Sequence, residues 1–301
     1  MTERHSPSLS RRELLGAALG LALGPTLANP ARATNASSPV LYVSHGSPLF
    51  LPGNEQRISE FRAWGRTLAK PRAIVVMTPH YASRKMTLGR TATGFAMYDL
   101  PRAFKRLLPQ NLDYATPPSE AVAARVESLL EPAYAVTRDE YRRGFDHTTW
   151  MPLSCLFPAA DVPVLEVSYP YVDDANLLRL GARLSPLRAE GVTFVASGGM
   201  THNLASFDGV GSPIAPTVPP WAVEFDAWAT EHIARLDVDA LVDWRDKAPA
   251  TDLAHPDDGA HFRVVLVALG LALGGADTAR TARFPITGFE GALSKRSVEL
   301  R

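Results

Sequence analysis

Apolar residues fall into two recurring patterns along this chain. The first is the short unbroken run: Val40 to Val43, Arg72 to Thr78, Val162 to Ser168 and Val192 to Ala196. Such runs, rich in β-branched residues and bounded by glycine, proline or polar clusters, predict strands buried on both faces. The second is spacing by threes and fours. Ile58, Phe61, Trp64 and Leu68 repeat this way within Asn54 to Lys70, and Leu177, Leu180, Leu184 and Leu187 within Asp173 to Glu190. Both stretches predict amphipathic helices. Helices are also predicted over Ser119 to Leu130, with Ser119 as N-cap, over Trp221 to Leu236, Asp239 to Trp244 and Val264 to Leu273. Ala133 to Thr137 reads as a short strand, Met151 to Phe157 as an apolar turn or short helix, and Arg283 to Thr287 as a last strand.

Strands and helices alternate, so the expected class is α/β: a single domain with a mostly parallel or mixed central sheet flanked by helices. The strand–helix–strand order over Val40 to Thr78 predicts a right-handed crossover and a parallel pair of neighbouring strands. Thr91 to Pro118 and Asp208 to Pro220 lack either period and read as long loops.

Composition narrows the chemistry. The chain carries 31 acidic and 31 basic side chains, which gives no global reason to expect nucleic acid or an anionic membrane as partner. Its one cysteine, Cys155, excludes an internal disulfide framework and a cysteine-rich metal site. Lying between Leu153 and Leu156, it reads as a buried structural thiol rather than a nucleophile. The first 33 residues differ from the rest. Arg11-Arg12 precedes an apolar run from Leu14 to Leu23, and Ala31-Arg32-Ala33 follows with the small-x-small pattern of a cleavage site. This order resembles a twin-arginine export signal, which predicts a periplasmic or exported domain over residues 34–301 and no membrane anchor after cleavage; a cytoplasmic protein with a basic tail is the alternative.

Of the eight histidines, His5 lies in the leader and His232 within the helix from Trp221, and the other six carry the candidate chemistry. His45, His80 and His202 each directly follow an apolar strand, in Ser44-His45-Gly46-Ser47-Pro48, Pro79-His80-Tyr81 and Ser197-Gly198-Gly199-Met200-Thr201-His202. Strand carboxyl ends in an open α/β sheet share one edge and gather ligands there. His147 lies in a Gly/Asp loop, and His255 and His261 flank a helix start. Imidazoles alone suit Fe(II) or Zn(II), and two or three with an open position are typical of catalytic sites. Gly46 and Gly198-Gly199 allow close backbone approach and positive φ. Asp146 either orients His147 or caps a turn. The G-x-S-x-G elbow, the P-loop and G-x-G-x-x-G are absent from the sequence.

Five motifs occur here in one order: Ser44-His45-Gly46-Ser47-Pro48, a strand ending in His80, Phe145-Asp146-His147-x-x-Trp150, Ser197-Gly198-Gly199-x-x-His202-Asn203-Leu204, and His261-Phe262 before an apolar helix. In them the chain resembles the class III extradiol ring-cleavage dioxygenases of the catalytic-B-subunit superfamily, most of all the 4,5-DOPA extradiol dioxygenase-like group, from Val40 to about Ser297. The resemblance implies one divalent metal ion, Fe(II) for oxygenation and in some members Zn(II). It implies His45 and His80 as metal ligands and His261 as the third. His202 matches a histidine that is either the acid/base or a further ligand, and His147 one that handles protons or binds substrate. A small aromatic catechol and O2 would be the reactants, and a muconic semialdehyde the product. Tyr98-Asp99 resembles a loop motif near the substrate in this group. Thr148 departs from the family pattern, where glycine is commoner, and so do Pro79 and Tyr81 around the second ligand.

Two other classes compete. A zinc hydrolase would use the same histidines and a general-base carboxylate, Glu166 or Asp99; a non-catalytic metal-binding protein would use the fold alone. Arg102, Lys105 and Arg106 offer cations for a substrate carboxylate, or plain solvated charge.

Overall fold

The computed structural model describes residues 37–47, 54–97, 99, 113–139, 144–206, 217–276, 278–279 and 281–301. The stretch expected to be an export leader, residues 1–33, and the loop residues Tyr98, Arg102, Lys105 and Arg106 lie outside these residues.

The first half of the domain runs β1 (Val40–Ser44), α1 (Glu55–Gly65), β2 (Ala73–Ser83), β3 (Met86–Leu88), α2 (Glu120–Leu130), β4 (Val136–Arg138), α3 (His147–Leu156) and β5 (Val164–Pro170). Then come α4 (Asp174–Leu184), α5 (Pro186–Ala189), β6 (Val192–Gly198), α6 (Pro220–Ala234), α7 (Val238–Val242), α8 (Trp244–Lys247), α9 (Thr251–Ala254) and α10 (Ala260–Leu273). The chain closes with β7 (Ala282–Ile286), a small ribbon of β8 (Phe289–Glu290) and β9 (Leu293–Ser294), and β10 (Ser297–Leu300).

Eight strands form one mixed sheet in the order β4-β3-β5-β2-β6-β1-β10-β7. Its centre, β5-β2-β6-β1, is wholly parallel. Alternate residues of these strands feed two apolar layers. Val40, Tyr42, Val75, Met77, Phe194 and Ala196 pack toward α4, α6 and α10. Leu41, Val43, Ile74, Val76 and Val195 pack toward α1 and α3. Burial on both faces is why these strands read as unbroken apolar runs. Among the described residues no helix is long and apolar enough to cross a membrane.

The α/β class and the mixed sheet are as the sequence predicts; several details differ. β1 and β2 are parallel but not neighbours, because β6 lies between them and pairs with both. A crossover helix fixes the direction of the strands it joins, not the positions left between them. Nor does β2 stop at Thr78. Its ladder with β5 pairs Thr78 with Ser168 and then Ala82 with Tyr169, so Pro79, His80 and Tyr81 bulge out of a continuing strand. Pro79 has no N–H to give to a ladder, and bulges beside active sites re-aim a side chain. The expected helix over Asp173 to Glu190 is divided in two at Ser185, before Pro186, whose ring cannot continue the intrahelical bonding. Finally, Ala282–Ile286 is not the last strand: β10 pairs antiparallel with both β1 and β7.

Candidate metal centre

Three elements bring His45, His80 and His261 together at the carboxyl edge of the parallel strands. His45 directly follows β1; its N–H donates to the Gly198 carbonyl at 3.0 Å, and Gly46 turns the chain with φ 70°. His80 stands on the bulge of β2. His261 lies in the first turn of α10, and its carbonyl accepts from the Tyr42 hydroxyl and the Gly199 N–H, each at 3.0 Å. That seat requires glycine at 198: a Cβ there would stand 2.1 Å from the His261 carbonyl oxygen. A Gly198→Ala protein is therefore expected to lose about 3 kcal/mol of stability through forced displacement of α10. Thermal unfolding checks this, and a wild-type melting temperature would refute the packing argument.

The three rings form a nearly regular triangle. Their centroids are 5.3 Å apart in every pair, and the rings stand 67° to 84° to one another. One ring nitrogen from each lies within 4.8 Å of the others, and the Nε2 atoms of His80 and His261 are 3.2 Å apart. The donor set can be tested against an ion by arithmetic. Imidazole nitrogens about 2.05 Å from a common ion at tetrahedral angles lie about 3.3 Å apart, with ring centroids about 5.2 Å apart. The three centroid spacings of 5.3 Å and the 3.2 Å between the Nε2 atoms of His80 and His261 agree with these values.

The protonation states also suit a cation. The Ser197 hydroxyl donates its one proton to the Thr148 carbonyl at 2.6 Å, so the 3.0 Å contact with His45 Nδ1 must be donated by the ring. Nδ1 therefore carries the hydrogen, and Nε2 keeps its lone pair. Burial, then the neighbouring imidazoles, push His45 and His261 well below the usual histidine range. His80 is exposed at the open side of the triangle, yet the surrounding chain and then His147 lower it to about 4. Three neutral imidazoles are the form that binds a metal ion.

Two further imidazoles flank the triangle, each backed by a carboxylate. His147 is buried, with its ring centroid 4.9 Å from that of His80. Asp99 grips it twice, accepting from the backbone N–H at 3.0 Å and from Nδ1 at 2.6 Å. Burial alone would raise Asp99; the His147 hydrogen bonds outweigh it and hold the carboxylate below its ordinary range. Asp146, a candidate orienter of His147, instead caps α3 by accepting from the Thr148 N–H at 3.0 Å. That cap starts the helix at His147 rather than Met151. On the other flank His202 lies flat on His261, centroids 3.5 Å apart and rings within 6° of parallel, and its Nδ1 is 3.3 Å from Asp257 Oδ2. Burial favours a protonated Asp257, but the His202 ring and the Gly259 N–H hold it well below the carboxylate range. His202 does not join the triangle.

The remaining candidates have other partners. Glu166 is buried in β5 and accepts from the Thr149 hydroxyl at 2.7 Å. Cys155 is buried, and burial pushes its thiol up. His255 is enclosed by Phe225, Trp244 and Phe262, and its Nε2–H donates to the Met200 carbonyl at 3.0 Å. Burial lowers its pKa to about 4. The unfolded chain accepts this proton near pH 6.5 and the folded one only near pH 4, so stability falls as pH drops across that window and then levels. Denaturant titrations should show about 3 kcal/mol less pH-dependent loss in His255→Asn than in wild type. Parallel pH profiles for the two proteins would contradict this.

The sequence places the histidines at the right edge, but Asp257 carries no signal there, and Ser197 and Asp99 are named without their histidine partners. Asp99 and Asp257 sit in stretches with no apolar period, where only spatial proximity reveals a partner.

Residues 39–289 match the family described as the catalytic LigB subunit of aromatic ring-opening dioxygenase. The chain is 31% identical over 236 residues to a 4,5-DOPA dioxygenase extradiol of Beta vulgaris, covering 77% of this chain and 85% of that one. It is 30% identical over 269 residues to a protein of the same name from Escherichia coli, covering 87% and 94%. Among solved structures it is similar to an Escherichia coli K12 protein described as uncharacterized, with TM-score 0.68 and 28% identity over 88% of this chain and all of the other.

Proposed function

The chain belongs to the family of the catalytic LigB subunit of aromatic ring-opening dioxygenases, and on that premise we propose that it opens the ring of a catechol-type substrate. O2 would be the second reactant and a muconic semialdehyde the product. The observation that carries the reading is the triangle of neutral imidazoles with 5.3 Å sides, His45, His80 and His261, whose spacing suits one divalent ion. Fe(II) is the ion proposed for oxygenation, with Zn(II) able to occupy the same nitrogens. When bound, the ion supplies Lewis acidity and holds both reactants in contact.

The chain's own residues manage protons. His202 keeps its Nδ1 toward Asp257, which leaves Nε2 to accept a phenolic proton. Its plane is parallel to that of His261, an orientation in which the in-plane lone pairs of the two rings do not point at one another's ion; although His202, Asp257 and His261 also lie within 4.8 Å, we assign His202 as acid/base rather than ligand. His147, with Nδ1 fixed on Asp99 and its ring centroid 4.9 Å from that of His80, keeps Nε2 free of Asp99 and can return a proton to oxygen as the ring opens. The buried faces of His45, His147 and His261 exclude water on the inner side, while the exposed His80 marks the side of entry. We further propose that the chain is exported after folding; amino-terminal sequencing of protein from the periplasmic fraction, expected to begin at Thr34, tests it.

The deciding experiment is oxygen uptake by anaerobically Fe(II)-reconstituted protein across a panel of catechols. Uptake together with a yellow semialdehyde absorbance is expected. No uptake by protein with iron bound would refute the oxygenase reading and favour a zinc hydrolase.

A further inference from the structure

We propose that Thr148 is a positioning residue that locks both strand-borne histidines of the triangle to the helix carrying His147. The proposal rests on the metal reading above and goes beyond it. Thr148 is fully buried, as are Ser197, Thr78 and Asp146 around it. Its two oxygens face different partners. The hydroxyl donates to Asp146 Oδ1, since a carboxylate only accepts. With that proton committed, the 2.8 Å contact between the Thr78 and Thr148 hydroxyls must be donated by Thr78. Thr78 in turn accepts from the His80 N–H at 3.3 Å. The order is therefore fixed: His80 N–H to Thr78, Thr78 to Thr148, Thr148 to Asp146.

The carbonyl of the same residue anchors the other limb. It accepts from Ser197, which accepts from His45 Nδ1–H. One residue thus joins two donor chains: its carbonyl ends the one from β1 by way of β6, and its hydroxyl passes the one from the bulge of β2 on to Asp146. It sits next to His147 at the start of α3, whose N-cap is the same Asp146.

Every hydroxyl in the pair of chains has one proton and one donor, so no alternative direction satisfies all of them. The hydroxyl limb matters most, because His80 stands on the bulge of β2, where the register with β5 shifts between Thr78 and Ala82. The Thr78 contact is a tie between that bulge and the body of the domain. Groups that orient ligands from behind typically alter metal affinity by 10- to 100-fold when removed.

The test is Co(II) binding to the full chain, read by the visible ligand-field spectrum and by competition with a chelator. Thr148→Val removes the hydroxyl and keeps volume and carbonyl; Thr148→Ser keeps the hydroxyl. Thr148→Val is expected to weaken Co(II) by about tenfold or more and to change the spectrum, while Thr148→Ser retains wild-type values. Equal losses in both would assign the effect to the methyl's packing and overturn the proposal, as would a wild-type constant and spectrum in Thr148→Val. Should Thr148→Val fail to fold, Ser197→Ala interrupts only the His45 limb, and unchanged Co(II) affinity there would also overturn it. Absence of Co(II) binding by the wild-type chain would instead refute the metal reading itself, and this proposal with it.

Discussion

A His80→Ala protein is expected to fold normally and to lose its divalent ion. His80 is the exposed corner of the triangle, so truncation opens no buried cavity and leaves the β2 ladder with β6 intact. What it removes is one of three nitrogens. Altering a group behind a ligand already costs 10- to 100-fold in affinity, so loss of the ligand itself should exceed about a hundredfold. Metal content after dialysis against a weak chelator measures this, with far-ultraviolet circular dichroism as the control for folding. Retention of stoichiometric metal by His80→Ala would remove His80 from the site.

The second large effect is expected from Asp99→Asn, with a different signature. The backbone N–H of His147 can only donate, so it claims the oxygen of an asparagine at 99. The amide NH2 then faces Nδ1, which must accept. That forces the hydrogen onto Nε2, the nitrogen that should carry protons to and from the substrate. Loss of a positioned acid or base typically costs 10²- to 10⁴-fold. We expect kcat to fall by about that much, with metal content unchanged, and no recovery on raising pH because the defect is the wrong tautomer. An Asp99→Asn enzyme with wild-type kcat would mean that His147 takes no part in proton transfer. Read together, the two variants separate holding the ion from moving the proton.

The parallel centre of the sheet was legible because its strands are buried on both faces and carry little but apolar residues. The tail was not. Ser297–Leu300 is equally buried, yet two of its four residues are polar. Glu299 accepts from Trp64 Nε1 at 2.8 Å, and Ser297 accepts from the Ser44 N–H at 3.2 Å. Satisfied polar groups remove the cost of burial and with it the hydrophobic signal. His45, His80 and His202 could be read because each follows an apolar run. Their pairing with carboxylates could not: Asp99 meets His147 across 48 positions of chain, and no periodic pattern links an aspartate to a histidine at that separation. Asp146 misled for the opposite reason, its adjacency to His147 being the geometry of a helix cap.

The position of β6 has a consequence in time as well as in space. His45 and His80 come from the first third of the chain, but the strand separating them is made of residues 192–198, and the third imidazole is at 261. An N-terminal half emerging from the ribosome can pair neither β1 nor β2 with its central partner, so it has no triangle to offer. Long-range parallel pairing is the slow part of such a fold. An ion held by all three imidazoles is therefore expected to enter after the chain has closed around β6, not to nucleate the domain as zinc nucleates a finger.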